Sequence, residues 1–176
     1  MRIVRKKSDK QLYALKYINK VKCIQQKAAR NTVFERNLLI DLDYPLIVNL
    51  RYAFQDDENM FMVLDLMLGG DLKYHLQQTG SFPEEAVRIW AAEMICAVEY
   101  LHEKGVVHRD IKPDNLLLDE KGHVHLTDFN VATYLPSDGS RLQSFSGTIT
   151  YMGRRTRLAL FPTSSSVLTS LRQRPR

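Results

Sequence analysis

From residue 84 to residue 104 the chain repeats apolar side chains at helical spacing: Val87, Trp90, Ala91, Met94, Ile95, Val98 and Leu101. Recurrence at three and four residues gathers them into one wide stripe on a helix. A stripe of that width is expected to be buried on more than one side, so the helix must sit inside a packed fold. Ser81 and Glu84 have capping-box spacing, Pro83 falls in the first turn and Gly105 follows the end.

The segments around this helix alternate between strand-like and helical patterns. Arg2-Ile3-Val4-Arg5 and Leu12–Ile18 read as a strand pair joined by the polar turn Lys6–Lys10. From Ile24 to about Leu42 the pattern is helical, with Val33, Leu38 and Leu39 near period 3.6. Pro45 separates that helix from the strand-like run Ile47–Phe54. The apolar strand Met60–Leu68 then follows the turn Asp56–Asn59 and stops at Gly69-Gly70. Asp71–Gln78 resembles a short helix. Beyond Gly105, Leu116–Leu118 and Val124–Leu126 flank Glu120-Lys121-Gly122 as a hairpin would. There are no internal repeats.

Composition narrows the class. A length of 176 residues allows one domain, hardly two. With 44% hydrophobic and 26% charged residues, a disordered or collagen-like chain is excluded. No apolar run approaches the roughly 18 residues of a membrane-spanning helix, so no transmembrane segment is expected. The basic opening Met1–Lys7 does not read as a secretory signal, and Arg2 excludes Met-Gly myristoylation. Cys23 and Cys96 form no CxxC pair, so a reduced cytoplasmic or nuclear setting with both thiols buried is expected. The net charge of +5 belongs to one end. Six arginines and no acid lie in residues 153–176, leaving nineteen basic against twenty acidic residues, or −1, in the remainder. A near-neutral body argues against a specific nucleic-acid partner. The final segment, with its Thr163–Ser166 cluster and no clean apolar period, reads as a disordered basic tail.

The chemistry concentrates in Val107-His108-Arg109-Asp110-Ile111-Lys112-Pro113-Asp114-Asn115, followed thirteen residues later by Asp128-Phe129-Asn130. Magnesium prefers oxygen ligands and takes one or two protein carboxylates together with substrate phosphates. Asn115 and Asp128 suit that role. Asp110 could accept a hydroxyl proton or orient that hydroxyl, while Lys112 offsets charge on a transferred phosphoryl group. Taken singly, Lys16 reads as a strand lysine, Glu35 as a helix-surface acid and the histidines as surface or internally satisfied groups. Order and spacing across six motifs argue otherwise.

The spacing H-R-D-x-K-x-x-x-N followed by D-F resembles the catalytic loop of protein kinases, and Lys112 with Thr148 resembles the serine/threonine subclass. Ala14-Leu15-Lys16 looks like the A-x-K of the nucleotide-lobe strand, and Glu35 like its helix partner. Leu64-Asp65-Leu66-Met67 resembles the gatekeeper and hinge, and Gly147–Met152 the G-T-x-x-Y-x that precedes A-P-E. Asn130, where most kinases have Gly, and the surrounding segments are similar to the small YANK subfamily near the AGC kinases. The resemblance covers roughly residues 2–152. It implies an α+β, protein-kinase-like bilobal fold, incomplete: a partial N-lobe sheet with its helix over 1–68, and the first part of a helical C-lobe over 69–152. It further implies transfer of the ATP γ-phosphoryl to protein Ser/Thr hydroxyls, with ATP and Mg²⁺ as cofactors. Asp110 and Lys112 would be catalytic. Lys16, Glu35, Asp65, Met67, Asp71 and Leu117 would bind ATP, and Asn115 and Asp128 the metal. Ser144 stands where an activation-loop phosphosite is expected, and His108 is expected to pack beside Phe129.

Two departures from the family pattern qualify this expectation. No G-x-G-x-x-G precedes Lys16, and Gly153-Arg154-Arg155 stands where A-P-E would follow. The chain is therefore expected to be truncated at both ends of the kinase domain, with turnover in doubt. The alternative is an inactive truncated isoform acting as a binding or competing module. Exposure of apolar residues on the 84–104 helix loses about 1.5–3 kcal/mol per side chain, against a whole-domain stability of about 5–15 kcal/mol. A marginally stable chain that engages a chaperone or a partner is the resulting expectation.

Overall fold

The computed structural model describes residues 1–136 and 146–153. Ser144 and the arginine-rich segment from 154 onward lie outside the described residues. Four strands form an antiparallel sheet in the order β1-β2-β4-β3: β1 (Arg2–Arg5), β2 (Leu12–Asn19), β3 (Leu50–Gln55) and β4 (Asn59–Asp65). Central β2 pairs with β4 so that Ala14 faces Leu64 and Lys16 faces Met62. The expected first strand pair is present, with Arg2 opposite Leu15. β1 forms one edge of the sheet, where its arginines discourage further pairing.

The single helix expected over 24–42 is two helices, α1 (Lys20–Gln25) and α2 (Ala29–Asp41). Asn19 starts α1 by accepting from the Lys22 N–H at 3.0 Å, and Lys27 breaks the path at φ 56°. The two pieces remain joined by a 3.3 Å contact between Cys23 and Thr32. Glu35, Leu38 and Leu39 are buried on α2, whereas Val33 is 39% exposed. The difference is one of phase, because Val33 lies off the buried face of α2 that carries Thr32, Glu35, Leu38 and Leu39.

The apolar run after Pro45 serves two purposes. Only its second part, from Leu50, joins the sheet. Ile47 and Val48 pass instead to the other half of the molecule, where Ile47 bridges Leu126 and the Val48 N–H donates to the Leu126 carbonyl at 3.0 Å. The Leu126 N–H in turn donates to Leu46 at 2.9 Å. Leu126 belongs to the expected hairpin, β6 (Leu116–Leu118) with β7 (Val124–Leu126). Around this junction Leu38, Ile47, Leu64, Leu101, Val106, Val124 and Phe129 close a single core. A short pair, β5 (Val106–Val107) with β8 (Thr133–Tyr134), flanks it.

Two helices complete the second half. Asp71 caps α3 (Leu72–Thr79), its Oδ1 accepting from the Tyr74 N–H at 2.8 Å. α4 spans Glu84–Glu103, but Pro83 rather than Ser81 occupies the cap position and no capping box forms. The Ser81 carbonyl instead accepts from the Thr79 hydroxyl at 2.9 Å. Proline has no N–H to satisfy at a helix start, and Glu84 and Glu85 in the first turn complement the helix dipole. Met94, Ala97 and Leu101 are buried against β5 and β7, and Trp90 donates from Nε1 to the Gly122 carbonyl at 2.9 Å. The expected two-sided burial is not observed. Val87 is 45% and Ile95 67% exposed, because among the described residues only one flank of α4 is covered. Cys96 shares that open flank and is exposed, contrary to the expectation for both thiols; Cys23 is buried. Among the described residues no helix is long and apolar enough to cross a membrane.

Candidate active site

The sheet and the β6–β7 hairpin face each other across a cleft that holds two adjoining cavities. One, of about 220 Å³, lies between β1, β2 and the segment after β4, with Ala14, Leu64, Asp65, Met67 and Leu117 on its walls. The second, of about 370 Å³, contains Lys16, Glu35, Asn115, Asp128 and Asn130. Val48, Leu64, Leu117 and Thr127 line both, so the cavities form one trough with an apolar end and a charged end.

At the charged end, alternation along β2 turns Lys16 toward α2. Its Nζ donates to Glu35 Oε1 at 2.7 Å and Oε2 at 2.9 Å. The Glu35 side chain is only 3% exposed. Burial raises the Glu35 carboxyl above its ordinary value; the Lys16 charge and hydrogen bond oppose this, and the Asp128 charge adds to it. An ammonium held by a buried carboxylate at the mouth of a cavity is a fixed cation for an anionic group.

The loop after β5 organises a second set. Asp110 Oδ2 accepts from Lys112 Nζ at 2.6 Å and from Asn115 Nδ2 at 3.2 Å. Oδ1 accepts from the Thr148 backbone N–H and hydroxyl, both at 2.7 Å. Burial pushes the Asp110 carboxyl up, yet these hydrogen bonds and the Lys112 charge outweigh it and hold the group below its ordinary value. The Asp110 hydrogen bond in turn raises Lys112. Asp110 is thus an anion with strong orienting power and weak basicity.

Local backbone geometry creates this convergence. Arg109 adopts φ 70° and its Nε donates to the Val131 carbonyl at 2.6 Å. Gly147 adopts φ 109°, and a Cβ there would lie 2.1 Å from the Arg109 carbonyl oxygen. Only glycine lets residues 147–148 approach the loop so closely. His108, as expected, packs edge-on to Phe129 with ring centroids 4.9 Å apart.

The remaining candidates divide by location. Asn115 bridges the two sets: its amide donates to the Asp110 carbonyl at 2.9 Å while the residue lines the charged cavity beside Asp128. That leaves the Asn115 amide oxygen and the Asp128 carboxylate as hard oxygen donors, which fit a magnesium ion completed by phosphate oxygens and water. Among the described residues no group of three His, Cys, Asp or Glu side chains is placed to hold a metal ion. Asp110 does not line either cavity and reaches them only through Asn115.

The apolar end brings together Asp65, Met67 and Leu117. The Asp65 N–H donates to the Asn49 carbonyl at 3.0 Å, and its carboxylate takes Arg51 Nε at 2.6 Å. Any bond that Asp65 makes with a base must therefore come from its carbonyl. Asp71 is not on either wall; its carboxylate caps α3 and its backbone bridges to Leu117. Sequence reasoning missed Val48 and Thr127 as cleft residues. Val48 could have been suspected from the apolar run after Pro45, whereas Thr127 carried no signal beyond its place before Asp128.

The arrangement has relatives. A family model described as protein kinase domain matches residues 1–156. The chain is 51% identical over 150 residues to serine/threonine-protein kinase 32C of Mus musculus, an alignment covering 85% of this chain and 30% of that protein. It is 52% identical over 150 residues to serine/threonine-protein kinase 32B of Homo sapiens, covering 85% and 36% respectively. A probable serine/threonine-protein kinase of Dictyostelium discoideum is 45% identical over 141 residues, covering 80% of this chain and 31% of that one. The chain thus spans about a third of the length of these curated relatives. With the family model matching most of its residues and about half of them shared with the YANK kinases 32B and 32C, the chain belongs to the protein kinase domain family.

Proposed function

We propose that this chain carries the nucleotide cleft and catalytic loop of a serine/threonine protein kinase, transferring the γ-phosphoryl of MgATP to a protein hydroxyl. The observation that carries the reading is the linked pair of polar clusters: Lys16–Glu35 in the charged cavity, and Asp110–Lys112–Thr148 joined to it through Asn115. Magnesium, when bound, would neutralise phosphate charge and orient the γ-phosphoryl. Asn115 and Asp128 are the groups that would hold it.

The chain's own residues supply the rest. The Asp65 carbonyl and Met67 backbone face the adenine, Ala14 from the sheet and Leu117 from the hairpin enclose it, and Lys16 grips the phosphates. Asp71 contacts ribose in this reading, although its carboxylate must then share itself with the α3 cap. Asp110 orients the substrate hydroxyl and takes its proton as the oxygen–phosphorus bond forms and ADP leaves. Lys112 offsets the charge on the transferred group. The depressed Asp110 carboxyl favours orientation as its principal contribution. Protein substrates with Ser or Thr are the proposed partners, with a chaperone for the open face of α4. A cytoplasmic setting, or alternatively a nuclear one, is supported by the two unpaired cysteines.

The test combines MgATP-induced thermal stabilisation with phosphate transfer to a generic Ser/Thr peptide. The parent chain should be stabilised and should transfer phosphate. Asp128→Ala should lose the Mg²⁺-dependent part of the stabilisation and lower transfer by on the order of 10²–10³. Equal behaviour of parent and variant would overturn the assignment.

A further inference from the structure

Asn130 makes a contact that the kinase reading of the cleft does not require. Its side-chain Nδ2 donates to Asp128 Oδ1. Both residues line the charged cavity with Lys16 and Asn115. Asp128 sits at φ 67°, outside any strand or helix, so no regular hydrogen-bond ladder sets the direction of its carboxylate. Among the described residues the Asn130 amide is the one hydrogen-bond donor that meets that carboxylate. The next residue, Phe129, is only 1% exposed, and the Ala132 N–H closes a turn on its carbonyl at 3.1 Å. The turn is therefore anchored on both sides of Asn130. Residue 130 has no positive φ, so the backbone there does not demand glycine. What the side chain adds is a donor aimed at the preceding acid.

We propose that Asn130 is a positioning residue for the metal-facing carboxylate: its amide holds Asp128 Oδ1 and leaves Oδ2 oriented for a divalent cation. The inference rests on the kinase reading of the site. A neutral donor suits this task because it fixes the rotamer without cancelling the carboxylate charge, as partners of ligating side chains do in metal sites generally. A residue without a donor leaves Asp128 to sample other rotamers, and each cation bound must then pay for that ordering.

The test uses the full chain with ADP as the probe, titrated with Mg²⁺ and followed by calorimetry and thermal unfolding. Asn130→Ala and Asn130→Leu should raise the Mg²⁺ concentration needed for half-maximal ADP stabilisation by about tenfold. Metal-free ADP affinity and the melting temperature without ligand should stay at parental values. Asn130→Gln, which restores a donor, should recover part of the loss. An unchanged Mg²⁺ midpoint in Asn130→Ala would overturn the proposal, as would equal weakening of ADP with and without Mg²⁺. Asp128→Ala separates the two levels of the argument. If it shifts the Mg²⁺ midpoint while Asn130→Ala does not, the site reading stands and the positioning role falls. If neither differs from the parent, both fall.

Discussion

His108 shows how much one side chain can determine. Its Nδ1 accepts from the Asp110 N–H at 3.2 Å and its Nε2 faces the Thr127 carbonyl at 3.0 Å, which selects the neutral tautomer protonated at Nε2. Burial lowers its pKa below the ordinary 6.5, against the opposing influence of the Thr127 carbonyl and the Asp128 and Asp110 charges. Because the folded value is depressed, acidification protonates the unfolded chain first. The contribution to stability is therefore full above 6.5 and is lost as pH falls through the folded value. Melting temperature should decline between pH 7 and 5, and His108→Gln, which cannot titrate, should flatten that decline. Gly147 permits a second test at this scale. Gly147→Ala places a methyl against the Arg109 carbonyl at a positive φ and should destabilise by about 1–3 kcal/mol. It should also reduce phosphate transfer, because Thr148 is drawn off Asp110; denaturant titration and a peptide assay check the two effects. The residue types at 108, 110, 112 and 115 were readable from spacing. Thr148 was also named beside Lys112, but Thr127, whose carbonyl faces His108, depends on a contact between segments distant in the chain.

At the level of elements, local pattern was informative where one physical signal dominated. The strand pair at the start, the β6–β7 hairpin and the body of α4 follow from alternation, turn residues and apolar periodicity. The helix over 24–42 divided because the periodicity of Val33, Leu38 and Leu39 did not register the backbone break at Lys27. Ile47 and Val48 look like strand residues, yet the Ile47 N–H donates to the Tyr44 carbonyl and the Val48 N–H to Leu126, while the Leu126 N–H returns to the Leu46 carbonyl and stitches the halves together. Such a destination is tertiary and leaves no local trace. α4 offers a direct comparison of its two flanks. Leu101→Ala, at 1% exposure, should cost about 2–5 kcal/mol in chemical unfolding. Ile95→Ser, at 67% exposure, should change stability by less than about 0.5 kcal/mol while reducing aggregation in light scattering. Equal destabilisation by both would mean that the second flank is covered in solution.

Across the whole molecule, the two cavities lie where the sheet and the hairpin meet, so ligand binding and the union of the halves draw on the same residues. Val48, Leu117 and Thr127 line the trough, and Val48 also donates to Leu126. MgADP should therefore slow amide exchange on both sides of the cleft, at 14–16 and 62–67 as well as 115–118 and 126–130. Exchange measured by mass spectrometry with and without ligand checks this, and protection confined to one side would contradict a nucleotide bridging the halves. The catalytic motif could be read without coordinates, but the division of the trough into apolar and charged ends could not, since it arises from segments more than 110 residues apart, such as Ala14 and Thr127. The chain contains two cysteines, Cys23 hidden beneath Thr32 and Cys96 open to solvent on α4. A maleimide dye or spin label applied to the folded chain thus acquires a single address, adjoining Ile95, from which the hydration of that helix can be monitored without engineering a new attachment point.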